Sequence, residues 1–308
     1  MNSMPEAVMR AVESTTTMKR ATGNAERVAT PREIFGYEIL GVLGQGAGST
    51  IYAASHPETR QICALKHLIV KTEKEQRFVE QLRAEFEVGQ KVRHAGLRKS
   101  LDLKVKANWL GKVSEAALIM EMVDGMPLDQ QCPPSLMETL DCFVQSAHAL
   151  HALHALGFVH CDLKPANILV GEGGATKVID LGQACPVGTK KARIQGTPDF
   201  IAPEQVKCEP VTPRTDVFNF GATMYFCLTG EKLPTLFNIG KGQNSFLVDQ
   251  SIRSPRDIKP SVPENLSNLV MDCVRIKQEK RPADMAEVAR RLEVIRFGLE
   301  RRGLAVAV

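Results

Sequence analysis

Residues 159–170 read "VHCDLKPANILV", and three polar groups, Asp162, Lys164 and Asn167, crowd around Pro165. The proline ring fixes φ and removes a donor, so the backbone here is not an ordinary helix. Apolar residues on both sides, Val159 and Ile168 to Val170, hold the polar cluster at a buried edge. Downstream, "TKVIDLGQA" sets Asp180 after a β-branched apolar run and just ahead of Gly182. Asn167 and Asp180 are hard oxygen donors separated by a strand–turn–strand, an arrangement suited to magnesium and phosphate. Asp162 is then left to take a proton from a hydroxyl. A purely structural account of all four residues together is the weaker reading.

Outward from that stretch, "YEILGVLGQG" (37–46) and "STIYAAS" (49–55) are β-prone runs on either side of a glycine-rich turn, and "QICALKHLIV" (61–70) reads as a third strand. By itself the Gly44-x-Gly46-x-Gly48 spacing before Ser49 is a weak signal, usually no more than a hairpin turn. Between two strands it fits a hairpin whose backbone N–H groups lie over phosphates. No Gly-Lys-Ser/Thr follows, which excludes a Walker A loop, and a strand in place of a helix after the turn argues against a dinucleotide fold. Lys66 shares a strand face with Ala64, so it meets a specific partner or snorkels at the sheet edge. In "KTEKEQRFVEQLRAEFEVGQKVRH" (71–94) the period is helical, with Phe78, Leu82, Phe86 and Val92 toward one side. Glu85 on that helix is a candidate partner for Lys66, but helix phase alone does not separate it from Glu80 and Glu87. "LRKSLDLKVK" (97–106) and "EAALIMEMV" (115–123) read as two further strands.

After "DGMPLDQQCPP" the pattern turns helical. Ser135 and Glu138 form a capping box at the head of a long helix, and further helices are expected over about 214–230, 263–276 and 283–297, the last with Pro282 at its start. The 44% hydrophobic content of 308 residues supports a sizeable core. With 39 basic and 35 acidic residues and a net charge of +4, no concentrated basic patch points to nucleic acid. The eight cysteines contain no CxxC and read as free thiols in a reducing, cytoplasmic compartment. Glu6, Arg10 and Glu13 break any leader-like run at the N-terminus, and no apolar run is long enough for a membrane anchor. His148, His151 and His154 recur at helical spacing, but spacing fixes no acidic or thiol partner, so no metal is expected there.

Taken together, these motifs resemble the catalytic domain of eukaryotic-type serine/threonine protein kinases, over residues 37 to 297. The resemblance implies an α+β, two-lobed fold with a small five-stranded antiparallel β lobe carrying one main helix (34–122) and a larger, mostly helical lobe (123–297). Residues 1–33 would be a flexible extension and 298–308 a short tail. It implies ATP and Mg2+ as cofactors. Gly44, Gly46 and Ser49 would cover the phosphates, with Ser49 standing where a third glycine is usual. Lys66 would orient phosphates, with Glu85 as its helix partner. Ile51, Ala64, Met120, Glu121, Val123 and Leu169 would belong to the nucleotide site, Met120 at the back of the adenine pocket and Glu121 and Val123 at the hinge. Asp162 would be the catalytic base and Lys164 would steady the transferred phosphate, with Asn167 and Asp180 as metal ligands. "GTPDFIAPEQ" (196–205) resembles the end of an activation segment, with Thr197 near the aspartate, Glu204 pairing with Arg281, and Asp216 bracing the catalytic loop.

Two departures from the family pattern matter. Cys161 stands where an arginine is usual, and a thiol offers neither positive charge nor a bidentate fork. The usual link from that arginine to a phosphorylated activation loop is therefore not expected, although Thr189 beside Lys190, Lys191 and Arg193 remains a candidate phosphosite. Gly89, where an apolar side chain is usual, predicts a loosely held helix that a nucleotide or regulatory partner would settle. The expectation is an active kinase that passes the γ-phosphate of ATP to serine or threonine of a protein substrate. The alternative is a nucleotide-binding pseudokinase scaffold, against which stands the joint presence of Lys66, Asp162, Asn167 and Asp180. A kinase of small molecules is a third reading, opposed by "GTPDFIAPEQ".

Overall fold

A computed structural model describes residues 30–46, 48–109, 111–234 and 252–303. The expected N-terminal extension up to residue 29, and residues 304–308 of the expected tail, lie outside the described residues. The chain divides into two compact units. One holds the described residues up to Val92 together with those of 98–126, and the other holds Arg93–Leu97 and the described residues from Pro127.

The first unit is an antiparallel sheet of β1 (Glu33–Ile34), β2 (Tyr37–Gly46), β3 (Ser49–Ser55), β4 (Ile62–Ile69), β5 (Ser100–Ala107) and β6 (Val113–Glu121), with one longer helix, α1 (Gln76–Lys91). The strand order is β1-β2-β3-β4-β6-β5. Five of the strands were expected. The sixth, β1, is two residues long, too short to leave a periodic signal, yet Ile34 is buried and pairs with Tyr37. Strand side chains alternate between faces, which explains the nearly continuous apolar run of β4. Cys63 and Leu65 pack with Tyr52, Ala54 and Ile119 on one face, while Ala64 packs with Leu82 of α1, Leu118 and Met120 on the other. Lys66 continues the Ala64 row.

The buried row of α1 is Val79, Leu82, Glu85, Val88 and Gly89. The expected stripe through Phe78 and Phe86 is therefore displaced, and both rings are half-buried. Phe78 is occupied with the glycine-rich turn, where Gly48 has φ +83° and a Cβ on it would lie 3.1 Å from the phenyl ring. Gly89 is the larger correction. A Cβ there would lie 2.1 Å from Ser100 Oγ and 2.7 Å from Ser100 Cβ. The glycine is a close approach between α1 and β5, and the missing contact that suggested a loose helix does not exist. The Ser100 hydroxyl also donates to Glu85 O at 3.4 Å, and Gln90 Nε2 donates to Ser100 O at 2.9 Å.

In the second unit, β7 (Met126–Pro127) stands where the chain enters, and helices dominate: α2 (Leu136–Ala155), α3 (Pro203–Val206), α4 (Pro213–Thr229), α5 (Pro255–Ile258), α6 (Glu264–Cys273) and α7 (Met285–Glu300). The capping box of α2 is present, Glu138 N donating to Ser135 Oγ at 3.2 Å and Ser135 N to Glu138 Oε2 at 3.1 Å. α7 starts later than expected because Asp284, not the position after Pro282, caps it, Glu287 N donating to Asp284 Oδ1 at 2.8 Å. Two small antiparallel pairs shape the loops. β9 (Ile168–Val170) pairs with β10 (Thr176–Val178), and β8 (Phe158–Val159) pairs with β11 (Cys185–Pro186). Residues 93–97, expected in the first lobe, belong to this unit, where Val178 N donates to Gly96 O at 2.8 Å and Leu97 is fully buried. Among the described residues no helix is long and apolar enough to cross a membrane.

The close approach at Gly89 makes a stability prediction. Gly89→Ala should cost about 1–3 kcal/mol, the range for overpacking, read as a lower urea midpoint. Adding Ser100→Gly, which clears the space, should restore most of the loss.

Candidate active site

The residues singled out from the sequence lie in both units, and some of them meet within each. In the first, Lys66 Nζ donates to Glu85 Oε2 at 2.7 Å, and Arg98 Nη2 lies 3.8 Å from Glu85 Oε1. Tertiary packing thereby chooses among the three glutamates of α1, since Glu85 is 2% exposed while Glu80 and Glu87 face solvent. A carboxylate so buried needs a cation, and β4 delivers one. Strand pairing lines up the remaining candidates of this unit. Gly44 lies opposite Ile51 and Gly46 opposite Ser49 in the β2–β3 hairpin, Ile51 opposite Lys66, and Ala64 opposite Met120. Glu121 N donates to Lys99 O at 3.0 Å, and Val123, two residues on, is half-buried.

In the second unit, Asp162, Lys164 and Thr197 form one hydrogen-bonded group. The Thr197 hydroxyl donates to Asp162 Oδ1 at 2.8 Å, and Lys164 Nζ donates to Thr197 Oγ1 at 2.9 Å and to Asp162 Oδ2 at 3.3 Å. Asn167 Nδ2 donates to Asp162 O at 2.8 Å, which commits the amide nitrogen and leaves Oδ1 as its remaining end. Ile179 N donates to Asn167 O at 2.9 Å, tying the start of β9 to the residue before Asp180. Asp180 itself takes the left-handed conformation, φ 64° and ψ 71°, a strained choice for a side chain other than glycine. Leu169 is buried and lies opposite Lys177.

What holds this group in place is Asp216 on α4. Its carboxylate accepts from His160 N at 2.7 Å, Cys161 N at 2.9 Å and His154 Nε2 at 2.8 Å. Burial pushes the Asp216 carboxyl up, but the bond and charge of His154, with His160 behind them, outweigh burial and hold it below its ordinary value. His160 extends the reach of this anchor. Its Nδ1 accepts from Asp162 N at 3.3 Å, which makes Nε2 the protonated nitrogen that donates to Ile179 O at 3.1 Å. The histidine run on α2 is likewise divided among carboxylates, His148 pairing with Glu293 at 2.8 Å and His154 with Asp216.

Glu204 and Arg281 pair as expected, at 2.8 and 3.0 Å, both buried. Arg281 also donates to the carbonyls of Arg275, Arg214 and Ile276, so all its N–H directions are used. Two polar residues were not singled out from the sequence. Gln205 Nε2 donates to Cys161 O at 2.7 Å, and Asn219 Nδ2 donates to Gln205 Oε1 at 3.0 Å and Phe200 O at 2.6 Å. Their one sequence signal was a polar residue inside apolar runs, "DVFNFG" and "IAPEQV".

Residues 37–291 match the family described as Protein kinase domain. Among curated proteins, the chain is 29% identical over 243 residues to the serine/threonine-protein kinase PknA of Mycobacterium tuberculosis, covering 76% of this chain and 55% of that one. It is 26% identical over 293 residues to the serine/threonine-protein kinases drp72 of Corynebacterium efficiens, covering 91% and 55%. To the DNA damage-responsive serine/threonine-protein kinase RqkA of Deinococcus radiodurans it is 28% identical over 271 residues, covering 82% and 38%. The chain thus spans about half the length, or less, of these relatives.

Both anchors can be tested. Arg281→Met leaves a buried carboxylate unpaired and should cost about 3–5 kcal/mol in denaturant unfolding, whereas Arg281→Met with Glu204→Leu should recover much of that. For Asp216 the folded-state pKa is depressed, so its contribution is complete above its unfolded value of about 3.9 and is lost as pH falls through the lower folded value. The stability gap between the wild type and Asp216→Asn should therefore be constant near neutrality and shrink in acid.

Proposed function

The chain belongs to the protein kinase domain family, and from that premise we propose that it transfers the γ-phosphate of ATP to serine or threonine hydroxyls of proteins. One observation carries the reading. Asp162 already accepts a hydrogen bond from a threonine hydroxyl, that of Thr197, while Lys164 touches both groups. An acceptor serine or threonine held in the same way presents its oxygen to the phosphorus and its proton to Asp162. As the new O–P bond forms, the bond from the γ-phosphorus to the β-phosphate oxygen breaks and ADP leaves, while the proton passes to the Asp162 carboxylate and Lys164 offsets charge gathering on the transferred group.

The first unit would act on the nucleotide. Glu85 holds Lys66 by its ion pair, so that the ammonium meets phosphate oxygens as a fixed charge, beneath a turn built on Gly44, Gly46 and Ser49. Ile51, Ala64, Met120, Glu121 and Val123 would receive the adenine. The donor set of Asn167 and Asp180 fits magnesium, because both offer hard oxygens and the Asn167 nitrogen is already committed. When bound, the ion supplies neutralisation of phosphate charge.

Regulation would not pass through an arginine beside the catalytic aspartate. Cys161 is buried with Val159, Cys185 and Val211 and has no basic group to offer a phosphate. The reading includes a reducing, cytoplasmic setting, supported by eight cysteines that are all free.

The test is phosphotransfer from magnesium–ATP to a generic protein substrate. Asp162→Asn should lower turnover by about 10²–10⁴-fold, the usual weight of a general base, and Lys66→Met should lower it as strongly. Equal labelling by wild type and Asp162→Asn would discard the mechanism. ATP binding with no transfer would favour the scaffold reading.

A further inference from the structure

Cys161 has no part in the chemistry above, yet its sulfur is not simply packed away. The β8–β11 pairing sets Cys185 opposite Val159, and Cys161 Sγ comes to lie 3.6 Å from Cys185 Sγ. The two thiols, Val159 and Val211 form one buried cluster. They are unequal. Cys161 is 1% exposed and Cys185 9%, so a small solute reaches Cys185 first. The hydrogen bond between the two thiols, helped by the charge of Lys191 and by Thr189, pulls the Cys185 thiol down against burial and the opposing charge of Asp216. The same bond, burial and Asp216 push Cys161 up. An outer thiol pulled down in pKa beside an inner thiol pushed up is the arrangement of an attacking and a resolving cysteine.

We propose that Cys161 and Cys185 are an oxidative modification site, at which a hydroperoxide joins the catalytic loop to the segment after Asp180 through a disulfide. The Cys185 thiolate attacks one peroxide oxygen and the O–O bond breaks, giving a sulfenic acid at Cys185 and, after protonation, an alcohol or water. The Cys161 sulfur then attacks the Cys185 sulfur, the S–S bond forms, and the sulfenic oxygen leaves as water with the Cys161 proton. Two thiols give up two electrons in all, and the peroxide takes them. A dithiol reverses the step by exchange.

Closing the pair from 3.6 Å to the disulfide length of about 2.05 Å draws the two sulfurs together by side-chain rotation, backbone movement or both. Cys161 is held at both ends, its N–H by Asp216 and its carbonyl by Gln205, and Asp162 is the next residue. Displacement of that carboxylate on the ångström scale costs about a hundredfold in rate. Oxidation should therefore depress phosphotransfer reversibly by at least about tenfold. This second limb rests on the proposed role of Asp162, whereas formation of the disulfide does not.

The experiment uses the full chain carrying Cys132→Ser, which removes an exposed thiol that its hydrogen bond with Cys227 pulls down to about 7, treated with graded hydrogen peroxide, blocked with N-ethylmaleimide and mapped by mass spectrometry without reductant. A Cys161–Cys185 linked peptide is expected. Cys185 remaining alkylatable, or passing to sulfinic acid with no link, overturns the site. Cys161→Ser should divert Cys185 to sulfinic acid by removing the resolving thiol. In parallel, peroxide should depress phosphotransfer in the Cys132→Ser protein, dithiothreitol should restore it, and additional Cys185→Ser should make it insensitive. Linkage without loss of phosphotransfer, or equal loss in the Cys185→Ser protein, overturns the regulatory limb. If the reduced protein transfers no phosphate at all, the kinase reading fails while the linked peptide still decides the site.

Discussion

A single buried carboxylate, Asp216, organises the second unit. α4 is buried on nearly every side, so a charge on it has no water to turn to and must be matched by donors. Asp216 takes two consecutive peptide N–H groups, those of His160 and Cys161, and the Nε2–H of His154. Consecutive peptide donors aimed at one anion require an unusual backbone, and Cys161 has φ 65°. That conformation costs a side-chain-bearing residue about 1–3 kcal/mol, which charge-assisted bonds to a buried carboxylate offset. Asp162 follows immediately, so its position is inherited from an interaction it does not make itself.

The same accounting runs through the neighbouring polar groups. His160 hands the constraint on to Ile179, one residue before Asp180. Gln205 grips the Cys161 carbonyl and is itself held by Asn219. Arg281 spends every donor on Glu204 and three carbonyls. Networks of this kind are rigid where their members are satisfied, and here two buried atoms, His154 Nδ1 and Asn219 Oδ1, have no hydrogen-bond partner. The groups proposed to handle the phosphate and the acceptor are thus carried on a lattice of bonds to backbone atoms, and the first unit repeats the idea on a smaller scale with Lys66, Glu85 and Arg98.

Much of this was legible in the sequence wherever the signal was short-range. The strands around the glycine-rich turn, the Ser135–Glu138 capping box and the cluster from Asp162 to Asn167 all announce themselves over a few residues. The difficulties came where distance along the chain hides the neighbour. Helix phase left three glutamates open because they lie within about two turns of one another, and burial against β4 chose Glu85. Phe78 and Phe86 suggested a buried stripe by their size, but the true row passes through small or charged residues, Glu85 and Gly89, which strand β5 and Lys66 require. Asn219 and Gln205 carried only a weak signal, since a polar residue beside apolar ones looks alike whether it faces solvent or a carbonyl.

By itself the sequence determined the order of the elements and the two-part organisation. Periodicity, capping and the backbone limits of glycine and proline all act over a turn or a strand. Tertiary structure alone decided which partner each polar group receives, because hydrogen bonds and ion pairs are selected by proximity in space. Gly89 reads as a lost contact in one dimension and is the place of closest approach in three. Cys161 reads as a missing arginine, yet the pairing of β11 with β8 brings a second thiol, 24 residues away, to 3.6 Å.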